Sequence, residues 1–201
     1  MTKAFLLLLM LFLGLNTSLA QTKVNVDSLK KELNSAKLSL SKKADISLDI
    51  AIAYRRIDKD SANKYLNIAK PTFLKSTNKA LRSRGMLIEA TLFLEQSHFQ
   101  EAIDLGLKTK DLYLQQKDIN GIAACDNVIG KSYQRLASHN EVKELNNKAV
   151  AYILQAIKGY AKTQNAKGLM QANSDAGVVY RNMSDYPKSE ASYKEGIRIA
   201  K

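Results

Sequence analysis

The sequence predicts an all-α fold built by repetition, and three observations predict it. Apolar residues recur at three- and four-residue steps, as in Ile122, Cys125, Val128, Ile129, Tyr133 and Leu136, which stacks them on one helix face that must be buried. No stretch alternates apolar and polar residues for long, and the only prolines are Pro71 and Pro187, so strands have no clear home and helices few breaks. Small and large residues also return in the same order along the chain, at a nearly constant period.

The first element is a leader. Met1-Thr2-Lys3 precedes the apolar run Ala4 to Leu15, and 12 residues are too few for a bilayer core that takes roughly 20. The run reads as the h-region of a secretory signal peptide over residues 1–20. Asn16-Thr17-Ser18 supplies the polar break and Ser18-Leu19-Ala20 the small residues for cleavage after Ala20. An uncleaved anchor is the alternative. No cysteine lies near the cleavage point, which excludes lipid attachment there. Export to a periplasm is the expected localisation.

Residues 21–42 are expected to hold a capping helix, with Val24 to Leu38 opened by Asp27. Residues 43–201 then carry about four repeats, 43–78, 79–118, 119–165 and 166–201. The last is clearest: Gly177 and Tyr180, then Tyr186, then Ser189, Tyr193 and Gly196. The same order appears as Gly130, Tyr133, Ala149, Ile153 and Ala156; as Ala90, Phe93, Phe99 and Ala102; and as Ala51, Tyr54, Ala62, Leu66 and Ala69. Matched small residues in the second helices, Ala62, Ala102, Ala149 and Ser189, are spaced 40, 47 and 40 apart. The extra length of the third repeat lies in the polar stretch 138–148. Asp60 is read as the N-cap of the first repeat's second helix, Pro71 as ending or kinking that helix, and Pro187 as a first-turn proline.

These residues resemble the tetratricopeptide repeat family, a helix A–turn–helix B unit with a small residue inside each helix. The resemblance implies a right-handed superhelical solenoid of antiparallel helix pairs, since no pair can bury its face alone. The family's Trp position is held here by Met86, Asp126 and Asn173. The final helix presents Tyr193, Ile197 and Ala200, and a terminal repeat needs a polar outer face, so the array is expected to continue beyond Lys201. An exported array of 40-residue units is similar to the periplasmic sensor regions of two-component histidine kinases and helix-turn-helix regulators. That resemblance implies a membrane segment beyond the chain end and an output domain after it.

Chemistry is sparse. No HExxH, CxxC, P-loop or dinucleotide fingerprint occurs, and His98 and His139 are far apart in the chain and poor in neighbouring carboxylates, so no metal, cofactor or catalytic residue is expected. Cys125, the only cysteine, lies on an apolar stripe where its thiol is desolvated. A Cys125–His139 nucleophile pair lacks a third, orienting group. The net charge of +12 raises nucleic acid as a partner, but export and the scatter of the lysines argue against it and for solvated helix faces.

The resemblance also implies binding residues on the A helices. Carried over, these are Arg84, Thr91 and Glu95; Asn127, Lys131, Gln134 and Arg135; and Gln171, Ser174, Arg181 and Asn182. Four are cationic and one anionic, which suits a protein or an extended peptide with acidic groups. An ordinary solvated face is the alternative. The expected function is thus an exported interaction module, the sensing or scaffold part of a larger signalling protein. A free periplasmic adaptor is the second reading, and a hydrolase the third.

Overall fold

The structure is a computed structural model that describes residues 26–35, 37–140 and 142–200. The leader, its cleavage point and the start of the capping helix lie outside the described residues. Among those described there is no strand. The chain is all α, as the periodicity requires.

Two compact units divide between Thr72 and Phe73. In the first, helical residues 26–33 (α1) are followed by α2 (Leu40–Tyr54) and α3 (Lys59–Lys75), which crosses into the second unit. Val26, Ile46 and Ile50 form its core, with Leu29, Leu33, Leu38 and Tyr65 packed against them. Ala51, Ala62 and Ala69 are fully buried. Tyr54 stacks on Tyr65 at 6.3 Å, and Lys30 donates to its hydroxyl at 2.8 Å. The helix at 26–33 stops short of Leu38, because Ser39 caps α2 by accepting from the Lys42 amide.

Two local readings of α3 are corrected. Asp58, not Asp60, is the N-cap: its carboxylate accepts from the amides of Asp60 and Ser61 and from the Ser61 hydroxyl. Of the end or kink expected at Pro71, the end does not occur, since the helix continues to Lys75. The lost bond falls on the Asn67 carbonyl, and both residues are exposed, so water can satisfy it.

The second unit holds three helix pairs: α4 (Lys79–Glu95) with α5 (Phe99–Gln116), α6 (Ile119–His139) with α7 (Leu145–Lys162), and α8 (Ala166–Asn182) with α9 (Tyr186–Ile199). The starts of α4, α6, α8 and α9 are fixed by side-chain caps, Asn78, Asp118, Asn165 and Asp185. Four helix ends share one closure. The amides of His98, Asp118, Asn165 and Asp185 return to the carbonyls of Phe93, Tyr113, Tyr160 and Tyr180, forming a Schellman motif each time. The residue that makes this turn is left-handed and never glycine: Ser97, Lys117, Gln164 and Ser184 have φ of 69°, 56°, 55° and 61°.

Small residues sit where helices meet. Ala90, Ala102, Ala149, Ala156, Gly130, Gly177 and Gly196 are buried, and so is Ser189, whose hydroxyl donates to the Gly177 carbonyl at 2.8 Å. Between repeats, an aromatic near the end of one helix lies on a glycine near the start of the next. Phe73 meets Gly85, Tyr113 meets Gly121, and Tyr160 meets Gly168. Within repeats, Gly130 receives Ile153, and Gly177 receives the ring of Tyr193. Phe93, Phe99, Tyr133, Tyr180 and Tyr193 are half-buried. Tyr186, expected to pack, is 65% exposed, because it opens α9 outside the buried line of Ser189 and Gly196. The stretch 138–148 divides: α6 runs to His139, four residues longer than α4, and a turn leads to α7 at Leu145.

Candidate functional site

The backbones of the A helices of the second unit approach one another, α4 against α6 and α6 against α8, whereas α5 and α7 meet only through long side chains such as Lys110 and Gln155. Closer approach on the A side gives that side the inner curvature of this unit. The expected binding residues all belong to these A helices.

The structure gathers some of them. Asn127 and Lys131 on α6 and Gln171 on α8 converge on one carboxylate, Asp175, at 3.2, 3.6 and 3.1 Å. Burial pushes the Asp175 carboxyl above its usual range, and Lys131, Asn127 and Gln171 work against that rise. The Asn127 side-chain carbonyl is buried with no partner. Gln134 and Asn182 meet on the Ser138 hydroxyl, at 3.2 and 3.5 Å. Arg135 and Arg181 are exposed. Arg84 and Glu95, half-buried on α4, already have interactions of their own. Thr91 and Ser174 bond back to the carbonyls of Leu87 and Met170, and Ser174 lies beside Gly196 of α9, which takes it off the open face.

Sequence reasoning missed Asp175. Gln171 is one helical turn away, but Asn127 and Lys131 stand 48 and 44 residues away, and the packing of α6 on α8 brings them to it.

A second polar cluster was also missed. Asp126 occupies the third repeat's Trp position and is buried, as Met86 and Asn173 are at the same position of their repeats. Lys110 of α5 reaches it at 2.6 Å and also bonds Gln155 of α7 at 3.2 Å. The Lys110 ammonium lies 5.5 Å from the centre of the Tyr152 ring, which stacks on Tyr133, and Lys148 lies over Tyr133 in turn. Burial raises the Asp126 carboxyl and the lysine opposes the rise. A buried charge without a partner is costly, so Asp126 and Lys110 are held as a pair.

The nucleophile pair has no geometry. Cys125 is fully buried and burial pushes its thiol up to about 12. His139 lies 14 residues further along α6, about 21 Å by helical rise, with its ring edge-on to Phe99 at 6.1 Å. His98 opens α5 without a side-chain cap bond. Among the described residues no group of three or more His, Cys, Asp or Glu is placed to hold a metal ion, and no helix is long and apolar enough to cross a membrane.

No family model and no curated protein matches the chain. Solved structures do. A Rap protein complexed with competence and sporulation factor superposes at a TM-score of 0.78 with 18% identity, over 93% of this chain and 51% of that one. Aspartyl phosphate phosphatase F from Bacillus subtilis matches at 0.69 with 14% identity, over 90% and 49%, and the apo form of RapI at 0.64 with 16%. The chain spans about half the length of these structures. At such identities the likeness shows the fold alone, a TPR-like helical-repeat array.

Proposed function

We propose that the chain is an exported module whose A-helix face binds a protein or an extended peptide carrying acidic groups. One observation carries the reading: Arg135 and Arg181 stand exposed on α6 and α8, the two A helices that also join in the polar cluster of Asn127, Lys131, Gln171 and Asp175. Lys131 is engaged by Asp175, so the two arginines are the cations left to a partner's carboxylates, through paired charge-assisted hydrogen bonds. The match to a Rap protein solved with a bound factor favours binding over catalysis.

Export rests on the leader at residues 1–20. In the larger-protein version this part senses or scaffolds outside the cytoplasm, with a membrane segment and an output domain of the histidine kinase or helix-turn-helix kind elsewhere in the same protein, and that version rests on the resemblance of an exported repeat array to such sensors. Neither nucleic acid nor a cofactor has a role in it.

The test is the Arg135→Glu/Arg181→Glu variant in pull-downs from a periplasmic extract. Loss of a partner that the wild-type chain retains is expected. Equal capture by both would sink the groove reading, and an N-terminus still at Met1 after secretion would sink export with cleavage.

A further inference from the structure

The helices α5 and α7 lie side by side on the outer side of the second unit, where Lys110 of one bonds Gln155 of the other at 3.2 Å. They hold the same place in successive repeats, so they run in the same direction, and residues equally far from the matched Ala102 and Ala149 stand at the same height. Five residues on, Leu107 and Leu154 are 37% and 39% exposed. Nine residues on, Asp111 and Lys158 are exposed with opposite charges, and twelve on, the exposed Leu114 matches the exposed Ala161. One residue before the alanines, the exposed pair is Glu101 and Lys148. Single exposed leucines are ordinary on a protein surface. Here, however, apolar matches apolar and each sign matches its opposite, height by height.

Matched heights of opposite sign are what a two-fold interface needs. An axis running along these helices, between them, carries α5 of one copy onto α7 of another without reversing either, so each height meets its own counterpart. Leu107 then faces Leu154, Leu114 faces Ala161, and Asp111 and Glu101 face Lys158 and Lys148 of the second copy. An axis across the helices would instead lay α5 on α5 and α7 on α7. The exposed charges of α5 are mainly acidic, Glu101, Asp104 and Asp111 against Lys108. Those of α7 are Lys148, Lys158 and Lys162, with no acid among its residues, so the crossed arrangement sets like against like. Each helix has 18 residues, about 27 Å, and two of them about 10 Å apart offer a face of about 27 Å by about 20 Å, or about 1,100 Å² buried over both copies. That lies near the low end of specific interfaces, about 1,200 Å² and upward, and fits a weak, reversible dimer.

We propose that the outer face of α5 and α7 is an interface with a second copy of the chain, α5 of each copy lying on α7 of the other. It uses B helices and the peptide face uses A helices, so either can stand without the other.

Sedimentation equilibrium of the purified chain at concentrations up to about 100 μM tests it, a range that detects micromolar association. The wild type should show a monomer–dimer equilibrium that weakens as salt is raised. Glu101→Lys/Asp111→Lys reverses the charge of α5, and Lys148→Glu/Lys158→Glu reverses that of α7. Each variant alone sets like charges across the interface and should dimerise at least about tenfold more weakly, whereas the two mixed in equal amounts should recover wild-type affinity as a heterodimer. All four positions are exposed, so circular dichroism should show the fold untouched. Leu107→Gln alters no charge and should weaken the dimer several-fold, which gives a second reading independent of the reversals. A wild type that stays monomeric, reversed variants that self-associate as well as wild type, a mixture no more associated than its components, or undiminished association in Leu107→Gln overturns the proposal.

Discussion

Gly121→Ala adds one methyl group where Tyr113 leaves no room for it. The new carbon would lie 2.2, 2.4 and 2.5 Å from three carbons of the ring, against contacts of about 3.5 Å or more that side chains normally keep. Tyr113 is 6% exposed, so its ring has nowhere to retreat without moving α5 from α6 by most of an ångström. Overpacking of this kind costs about 1–3 kcal/mol, and the depth of the overlap places it in the upper half of that range. Alanine returns up to about 1 kcal/mol of helix propensity, so the net loss should be about 1–2 kcal/mol. Gly196→Ala is the control with the opposite sign. There the nearest atoms are the Ser174 Oγ at 3.2 Å and the Met170 carbonyl at 3.4 Å, and propensity should dominate. Urea unfolding followed by circular dichroism measures both, and Tyr113→Leu provides the background in which Gly121→Ala should become nearly neutral. If Gly121→Ala is as stable as wild type with Tyr113 in place, the ring-on-glycine contact is not what sets the spacing of these repeats.

Three further outcomes follow from the same geometry. Replacing Ser97, Lys117, Gln164 or Ser184 by glycine should stabilise by about 0.5–1 kcal/mol each, because glycine adopts their left-handed φ without a side-chain penalty; denaturant midpoints read it. Asp126 and Asp175 have carboxyls raised by burial, so the folded state holds their protons more tightly than the unfolded chain does. Their contribution is therefore greatest below the unfolded carboxylate range and is lost as pH rises through the raised folded values. Asp126→Asn should flatten part of this dependence in melts taken upward from pH 4. Cys125, with its thiol at about 12 and no exposure, should resist a disulfide reagent in the native protein and react at once in denaturant, and modification without unfolding would contradict its burial.

Much of the fold was legible because its causes are local. A buried stripe such as Cys125, Val128 and Ile129 reveals a helix through spacing alone, and Gly177 with Tyr193 reveals a close helix pair through size alone. Pro187 lies in the first turn of α9 because its missing amide costs nothing there. Local rules fail when two residues satisfy them equally. Asp58 and Asp60 both suit a cap, and only the backbone path chooses. Pro71 reads as a helix stop until the exposure of its lost partner is known. The binding face was harder still. The A-helix positions were reachable through the family pattern, but two of the three partners of Asp175 stand on another helix, and the Lys110–Asp126 pair spans two repeats' helices. A charge at a Trp position signals an anomaly without naming its counter-ion.

The Schellman turns bear on how the array assembles. Each is closed by bonds among six consecutive residues, and each glycine–aromatic contact among the α5–α6 and α7–α8 steps spans only eight. Loop closure over so short a distance costs little entropy, so a helix pair can form before its neighbours and the rest can zip onto it in either direction. The chain thus has no obligatory first repeat, and damage at one step should shorten the folded length rather than abolish it.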